Sequence, residues 1–223
     1  KDSIWNYDFI AKAFEPNVKD TIAKKVESTT AKKNNNPEID IKELLCNNIH
    51  FEMNDAWAGQ NMHYAFNTLQ LNIDELNLPK KLINIKKLEI DAANILVEEY
   101  KGGKPKKIKI IDSADWGTPF NPNHFSLTLQ ELSIKNTNFS FINGDIHSIP
   151  NEFDATNMQF ENININILNA KVVADTLFAD IKKFEVKDRC GLAVKSLTAK
   201  LKLSQVQAQL SEMTLETNNS FLQ

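Results

Sequence analysis

Enzyme chemistry needs reactive side chains at particular spacings, and in this chain they are scattered. The four histidines, His50, His63, His124 and His147, fall in no HExxH or HxH arrangement. Two imidazoles brought to one metal by a helix turn or a strand repeat are therefore absent, and each histidine reads as an isolated turn or surface residue. Serines are plentiful, but none sits in a GxSxG elbow or an SxxK pair, so nucleophilic hydrolysis has no sequence support. Glu98 and Glu99 are adjacent. On a strand they would point to opposite faces, the wrong geometry for shared acid–base work. Cys46 and Cys190 lack CxxC spacing, which leaves two small thiols or at most one bridge. We expect no enzyme activity, no cofactor and no metal.

Binding signals are equally sparse in the charged residues. Lys101, Lys104, Lys106, Lys107 and Lys109 surround Gly102-Gly103 without the GxxxxGK[ST] pattern of a phosphate loop, so they read as a charged loop or edge that deters strand addition. If the ligand is a lipid, that loop could also meet headgroups. Trp57, Tyr64 and Phe66 crowd the polar stretch Asn54 to Asn67. They would either form a lip on a ligand groove or pin a loop to the core. Lys and Arg number 26 against 29 Asp and Glu, a net charge of -3, so bulk charge gives no reason to expect a nucleic-acid partner. No apolar run approaches the roughly 18 residues of a membrane span, and residues 1–20 lack a signal-peptide core. With 42% apolar and 25% charged residues, the chain has the composition of folded protein.

The elements are legible in the apolar pattern. Residues 1–12 alternate imperfectly, as a strand at the start of a fragment would; Phe14 to Asn36 carries Val18, Ile22 and Val26 at helical spacing before Asn34-Asn35-Asn36-Pro37. We read a strand over 1–12, then a weak helix and linker over 13–36. From 37 to 223 period-two alternation dominates, interrupted by a Pro/Gly-rich loop at 101–124, within which only Ile108 to Ile111 looks strand-like. Apolar residues recur at offsets 0, 2, 5, 7, 12 and 14 from Ile39, from Ile83 and from Leu127, starts that lie 44 residues apart; the pattern also holds from Leu71, Met158 and Leu201. Each unit reads as a strand with a shifted pleat, a polar turn such as Asn136-Thr137-Asn138, and a return strand. Ala170 to Val186 fits either an amphipathic helix or strands, and strand is the favoured reading. The fold class expected is mainly β: elongated curved sheets forming a β-taco or open solenoid-like groove.

A sheet with one apolar face must have that face covered, since each Leu, Ile or Phe left in water forgoes roughly 1.5–3 kcal/mol. The cover is either a second sheet or, if a trough stays open, a ligand. Aliphatic residues dominate the dry face, so such a ligand would be a hydrocarbon, with acyl chains the natural candidate. The expected lining is Ile41, Leu44, Ile85, Leu88, Leu129, Leu132, Ile134, Ile163, Ile165, Leu197 and Leu201. The alternative is a closed β-solenoid or sandwich acting as a scaffold or adhesin, in which these residues meet one another and leave no conduit.

Three segments carry a resemblance to a known family: Ile39-Asp-Ile-Lys-Glu-Leu44, the run from Phe125 through Leu132 and Asn136 to Phe141, and Arg189-Cys-Gly-Leu-Ala-Val-Lys-Ser-Leu197, which is followed by a strand ending near Leu215-Glu-Thr-Asn-Asn-Ser220. They resemble TamB/AsmA-like bacterial envelope proteins of the Bacteroidetes kind, over most of residues 37–223. The resemblance implies an internal fragment of a periplasmic β-taco anchored to the inner membrane by a segment outside this chain. Its implied task is phospholipid transfer to, or assembly of, the outer membrane. The implied partners are a phospholipid or other acyl-chain lipid and an outer-membrane assembly protein of the BamA/TamA type.

Overall fold

A computed structural model describes residues 41–105 and 121–223. The strand expected over 1–12, the helix and linker over 13–36, and the strand-like Ile108 to Ile111 lie outside the described residues. Period-two alternation becomes ten strands: β1 (Glu43–Asp55), β2 (Gln60–Asn77), β3 (Leu82–Asp91), β4 (Asn94–Glu99), β5 (Ser126–Asn143), β6 (Asn157–Val173), β7 (Thr176–Asp188), β8 (Ala193–Leu203), β9 (Ala208–Thr217) and β10 (Phe221–Leu222). The ambiguous stretch from Ala170 to Val186 is strand, β6 ending at Val173 and β7 beginning at Thr176.

All ten strands belong to one open sheet in the order β1-β2-β3-β5-β6-β7-β8-β9-β10. β3 and β4 are two halves of one line, for both pair with β2 antiparallel and with β5 parallel. Every other pairing is antiparallel between sequence neighbours, as short connections favour. The parallel pair accounts for the 44-residue step from Ile83 to Leu127. Ile83 lies beside Leu127, Ile85 beside Leu129, Leu88 beside Leu132, Ile90 beside Ile134, Ile95 beside Phe139 and Val97 beside Phe141. One copy of the offset pattern is thus laid in register against the next.

The polar gap within each unit is not a turn. Asn136-Thr137-Asn138 lies inside the continuous strand β5, and the chain does not reverse there. Asn136 has φ 50°, and the residues at the same spacing, Asn48 and Ala92, have φ 53° and 50°. A five-residue gap between apolar positions would send the next side chain to the wrong face. One residue in the left-handed region takes up the odd step and restores the alternation, as a β-bulge does. Asn tolerates that conformation better than most residues, which is why a sequence signal ordinarily read as a turn marks a kink here. Asn162 and Asn169, with φ 53° and 54°, do the same in β6, where the pairing with β7 shifts register.

The two faces differ as the alternation requires. Directly paired residues share a face, so Leu44, Leu71, Leu88, Leu132, Ile167 and Ile181 form one row across six strands. Cys46, Leu69, Ile90, Ile134, Ile165 and Phe184 form the next. The opposite face is held by polar ladders. Thr128 donates to Asn84 at 2.7 Å, Gln130 to Asp74 at 2.7 Å and Lys200 to Glu212 at 2.7 Å. Glu89 accepts from Lys135 at 2.8 Å and also pairs with Lys87; these two contacts hold its carboxyl below the usual range. Among the described residues the buried apolar ones are all small, Ala93, Ala179 and Ala199, and no large side chain is fully covered.

Candidate functional site

The apolar face is the largest feature the fold assembles. Of the eleven expected lining residues, Ile41 precedes β1 and is 40% exposed, and Leu44 on that end strand is 45% exposed. Ile85, Leu88, Leu129, Leu132, Ile134, Ile163, Ile165, Leu197 and Leu201 are half-buried. The register puts them on a common face. Ile85 is opposite Leu129, Ile134 opposite Ile165, and Ile163 opposite Thr137. Leu197 and Leu201 flank Ala199, which lies opposite Ile181. They therefore line a broad face of one sheet. Two depressions on the surface, of about 400 Å³ and 410 Å³, are lined mainly by polar residues: Lys87, Lys135, Asn164 and Lys183 with Ile134 and Ile165 in the first, and Ser140, Gln159 and Glu161 with Phe160 in the second.

The face changes character along the strands. Towards Leu44 and Ile85 it is aliphatic. Towards the β1–β2 turn it becomes aromatic and Met-rich: Phe51 stacks on Tyr64 with ring centroids 5.7 Å apart, Phe139 on Phe160 at 6.3 Å, and Met53 opposes Met62. Two of the three residues singled out as a lip, Tyr64 and Phe66, are thus strand residues of this face. Trp57 alone stands on a turn, 62% exposed.

That turn opens a border at one end of the strands in which each loop is tied to the next. Gly103 donates to Ala56 and Lys104 to Trp57, Tyr100 to Gly59, and Gly144 to Glu99. Farther along, the loop between β5 and β6 is closed by Asp154, which is 6% exposed. Its carboxylate accepts from the Thr156 hydroxyl at 2.7 Å, the Thr156 amide at 2.9 Å and the Ile149 amide at 3.0 Å. Arg189 in the β7–β8 turn donates to the carbonyls of Asn157 and Ile149, 2.9 Å and 3.0 Å away, with Asp154 at 3.5 Å. Arg189 is the chain's only arginine. A rigid fork with several donors suits this clasp where a lysine would not. The single Arg was the one sequence signal for it.

The Thr156 hydroxyl first, then the Ile149 and Thr156 amides, hold the Asp154 carboxyl far below the usual carboxylate range. The fold thus stabilises the ionised form. That contribution is complete above the ordinary pKa of about 4 and is lost as the pH falls below it. Urea midpoints should fall more steeply for the parent than for Asp154→Asn between about pH 5 and pH 2.5. Superimposable profiles would show that this carboxylate carries no such linkage.

The residues weighed for chemistry stay apart. His63 lies 4.0 Å from Glu52, and among the described residues no three His, Cys, Asp or Glu side chains gather as a metal would need. Cys46 on β1 and Cys190 after β7 are both free thiols, half-buried. Glu98 accepts from Asn61 at 3.2 Å across the β2–β4 pair. Of the basic run, Lys101 and Lys104 are exposed, whereas Lys106, Lys107 and Lys109 lie outside the described residues. Neither the protein-family models nor the curated proteins give a match to this chain.

Proposed function

We propose that this chain is a non-enzymatic segment of a TamB/AsmA-like envelope bridge whose apolar sheet face shelters lipid acyl chains. The observation that carries the reading is the face itself. Rows of mostly aliphatic side chains run in register across six strands, and among the described residues no large one is fully covered. Apolar area of that extent left in water is unfavourable at about 25 cal/mol per Å², and a hydrocarbon guest relieves it without asking any residue for a charge or a hydrogen bond. The polar face needs no guest, because its ladders satisfy one another. In this reading the chain works in the periplasm, held by an inner-membrane anchor. It serves phospholipid transfer to, or assembly of, the outer membrane, with a BamA/TamA-type protein as partner.

The test is a photo-crosslinking amino acid placed at Leu129 or Ile165 on the apolar face, and at Thr128, whose side chain lies on the opposite face against Asn84. In cells, the first two positions should capture phospholipid and Thr128 should not. Equal yields at all three, or none at any, would end the acyl-chain reading.

A further inference from the structure

The two ends of the strands are unequal. At the border beginning with the β1–β2 turn, exposed large apolar side chains project from the loops and from the start of β10: Trp57 (62%), Ile149 (50%), Phe153 (55%), Leu192 (47%) and Phe221 (64%). Three of these are aromatic. At the opposite end the exposed large apolar residues among the described ones, such as Leu78, Val173 and Val206, are aliphatic. The aromatic border is also tied together. Hydrogen bonds run from Lys104 to Trp57, from Gly144 to Glu99, from Arg189 to Ile149 and from Asn218 to Gly191. Its tips are therefore held in place relative to one another, although each is bare. The same end carries the exposed Lys101 and Lys104 beside Trp57.

We propose that this border docks into the interfacial layer of a phospholipid bilayer. Trp and Phe favour that layer because an apolar ring can sit among acyl carbons while polar neighbours stay hydrated. The shape of the border favours a fluid partner over a protein. Isolated tips separated by polar residues such as Asn151, Glu152, Asn218 and Asn219 would leave gaps against a rigid surface, which needs close complementarity. Lipid closes around each tip. Lys101 and Lys104 would meet phosphates at the Trp57 tip. Docked this way, the strands stand on the bilayer with the Met-rich, aromatic end of the apolar face nearest the acyl chains. The docking rests on the border residues alone; that it loads the face with lipid rests on the function proposed above.

The experiment uses the full chain with Trp5→Phe and Trp116→Phe, leaving Trp57 as the sole indole. With vesicles of phosphatidylethanolamine and phosphatidylglycerol, the protein should float with the vesicles. Trp57 emission should shift to the blue and be quenched by lipids brominated on the acyl chain. Ile149→Ser with Phe153→Ser should weaken vesicle binding about tenfold or more. Leu78→Ser with Val173→Ser should leave it unchanged, and far-UV circular dichroism should show both pairs folded. Absence of flotation, an unquenched Trp57, or equal loss from both pairs overturns the proposal. So does a stoichiometric protein complex at the border in place of vesicle binding. Lipid capture at Leu129 without vesicle binding would sink the docking alone, whereas vesicle binding without capture at Leu129 would sink the acyl-chain reading alone.

Discussion

Leu129→Asp should leave the sheet folded and nearly abolish lipid capture on the face around it. Leu129 is half-buried in β5, between Ile85 of β3 and Ala170 of β6. Its replacement forfeits part of a leucine's burial, about 1–2 kcal/mol. In an enclosed core the new carboxylate would also be stranded without a partner, a loss on the order of 3–5 kcal/mol that unfolds many domains. Here the side chain projects from a face with solvent access, so the charge keeps its water and the larger penalty does not arise. A hydrocarbon lying across the same place would have to strip that water. A crosslinker at Ile165 should therefore lose at least about tenfold of its lipid yield while the thermal midpoint by circular dichroism falls only by several degrees. Global unfolding would show that Leu129 is enclosed, and undiminished capture would place the lipid elsewhere.

The face is legible in the sequence because alternation is a local consequence of the pleat. The sequence from Leu127 to Phe141 dictates which side chains share a side whatever β5 pairs with. The partner of β5 was less accessible. The 44-residue spacing announced equivalent units, yet it does not say whether they stack directly or with a return strand between them. β3 and β4, end to end, both lie beside β5 and parallel to it, a contact between residues far apart in sequence. Asn136 is ambiguous in sequence for a related reason. Asn followed by Thr-Asn suits a reversal and a left-handed kink equally well, and only the strand continuing on the far side to Asn143 separates them. The border was harder still. Asp154, Thr156 and Arg189 are ordinary polar residues in sequence, and their clasp exists only because the β5–β6 loop and the β7–β8 turn end at the same edge.

How a sheet whose apolar rows are only half-buried stays ordered is answered largely on its polar side and at its ends. Half-buried aliphatic rows contribute less than a closed core would, so cross-strand pairs such as Thr128 with Asn84 and Lys135 with Glu89 carry a larger share of the register. Register matters more here than in a sandwich. A one-residue slip of β5 would put Leu129 and Leu132 among the lysines and Glu131 on the apolar rows. The left-handed residues at Asn48, Ala92 and Asn136 fix where each alternation resumes, and the tied loops prevent the strand ends from sliding.

Those ties make Gly59→Ala the most damaging small substitution at the border. Gly59 has φ 75°, and a methyl group there would overlap the Tyr100 carbonyl oxygen and the backbone of Gly102. Neither can give way. Gly59 is held from both sides, its amide donating to Asp55 at 2.8 Å and its carbonyl accepting from the Tyr100 amide at 2.8 Å. The obstructing atoms are main chain, in residues next to the Gly103 and Lys104 amides that tie down the Trp57 turn. Gly191→Ala supplies the matched comparison: φ is 90°, but nothing lies within 4 Å of the added carbon. That variant bears left-handed strain alone, about 1–2 kcal/mol. Gly59→Ala bears strain and overlap together, on the order of 3 kcal/mol or more. Urea denaturation should therefore show a clearly lower midpoint for Gly59→Ala than for Gly191→Ala, with Trp57 emission shifted in the folded baseline as its turn comes loose. Equal midpoints would mean that the close approach of residues 59 and 102 is not what holds the two loops together.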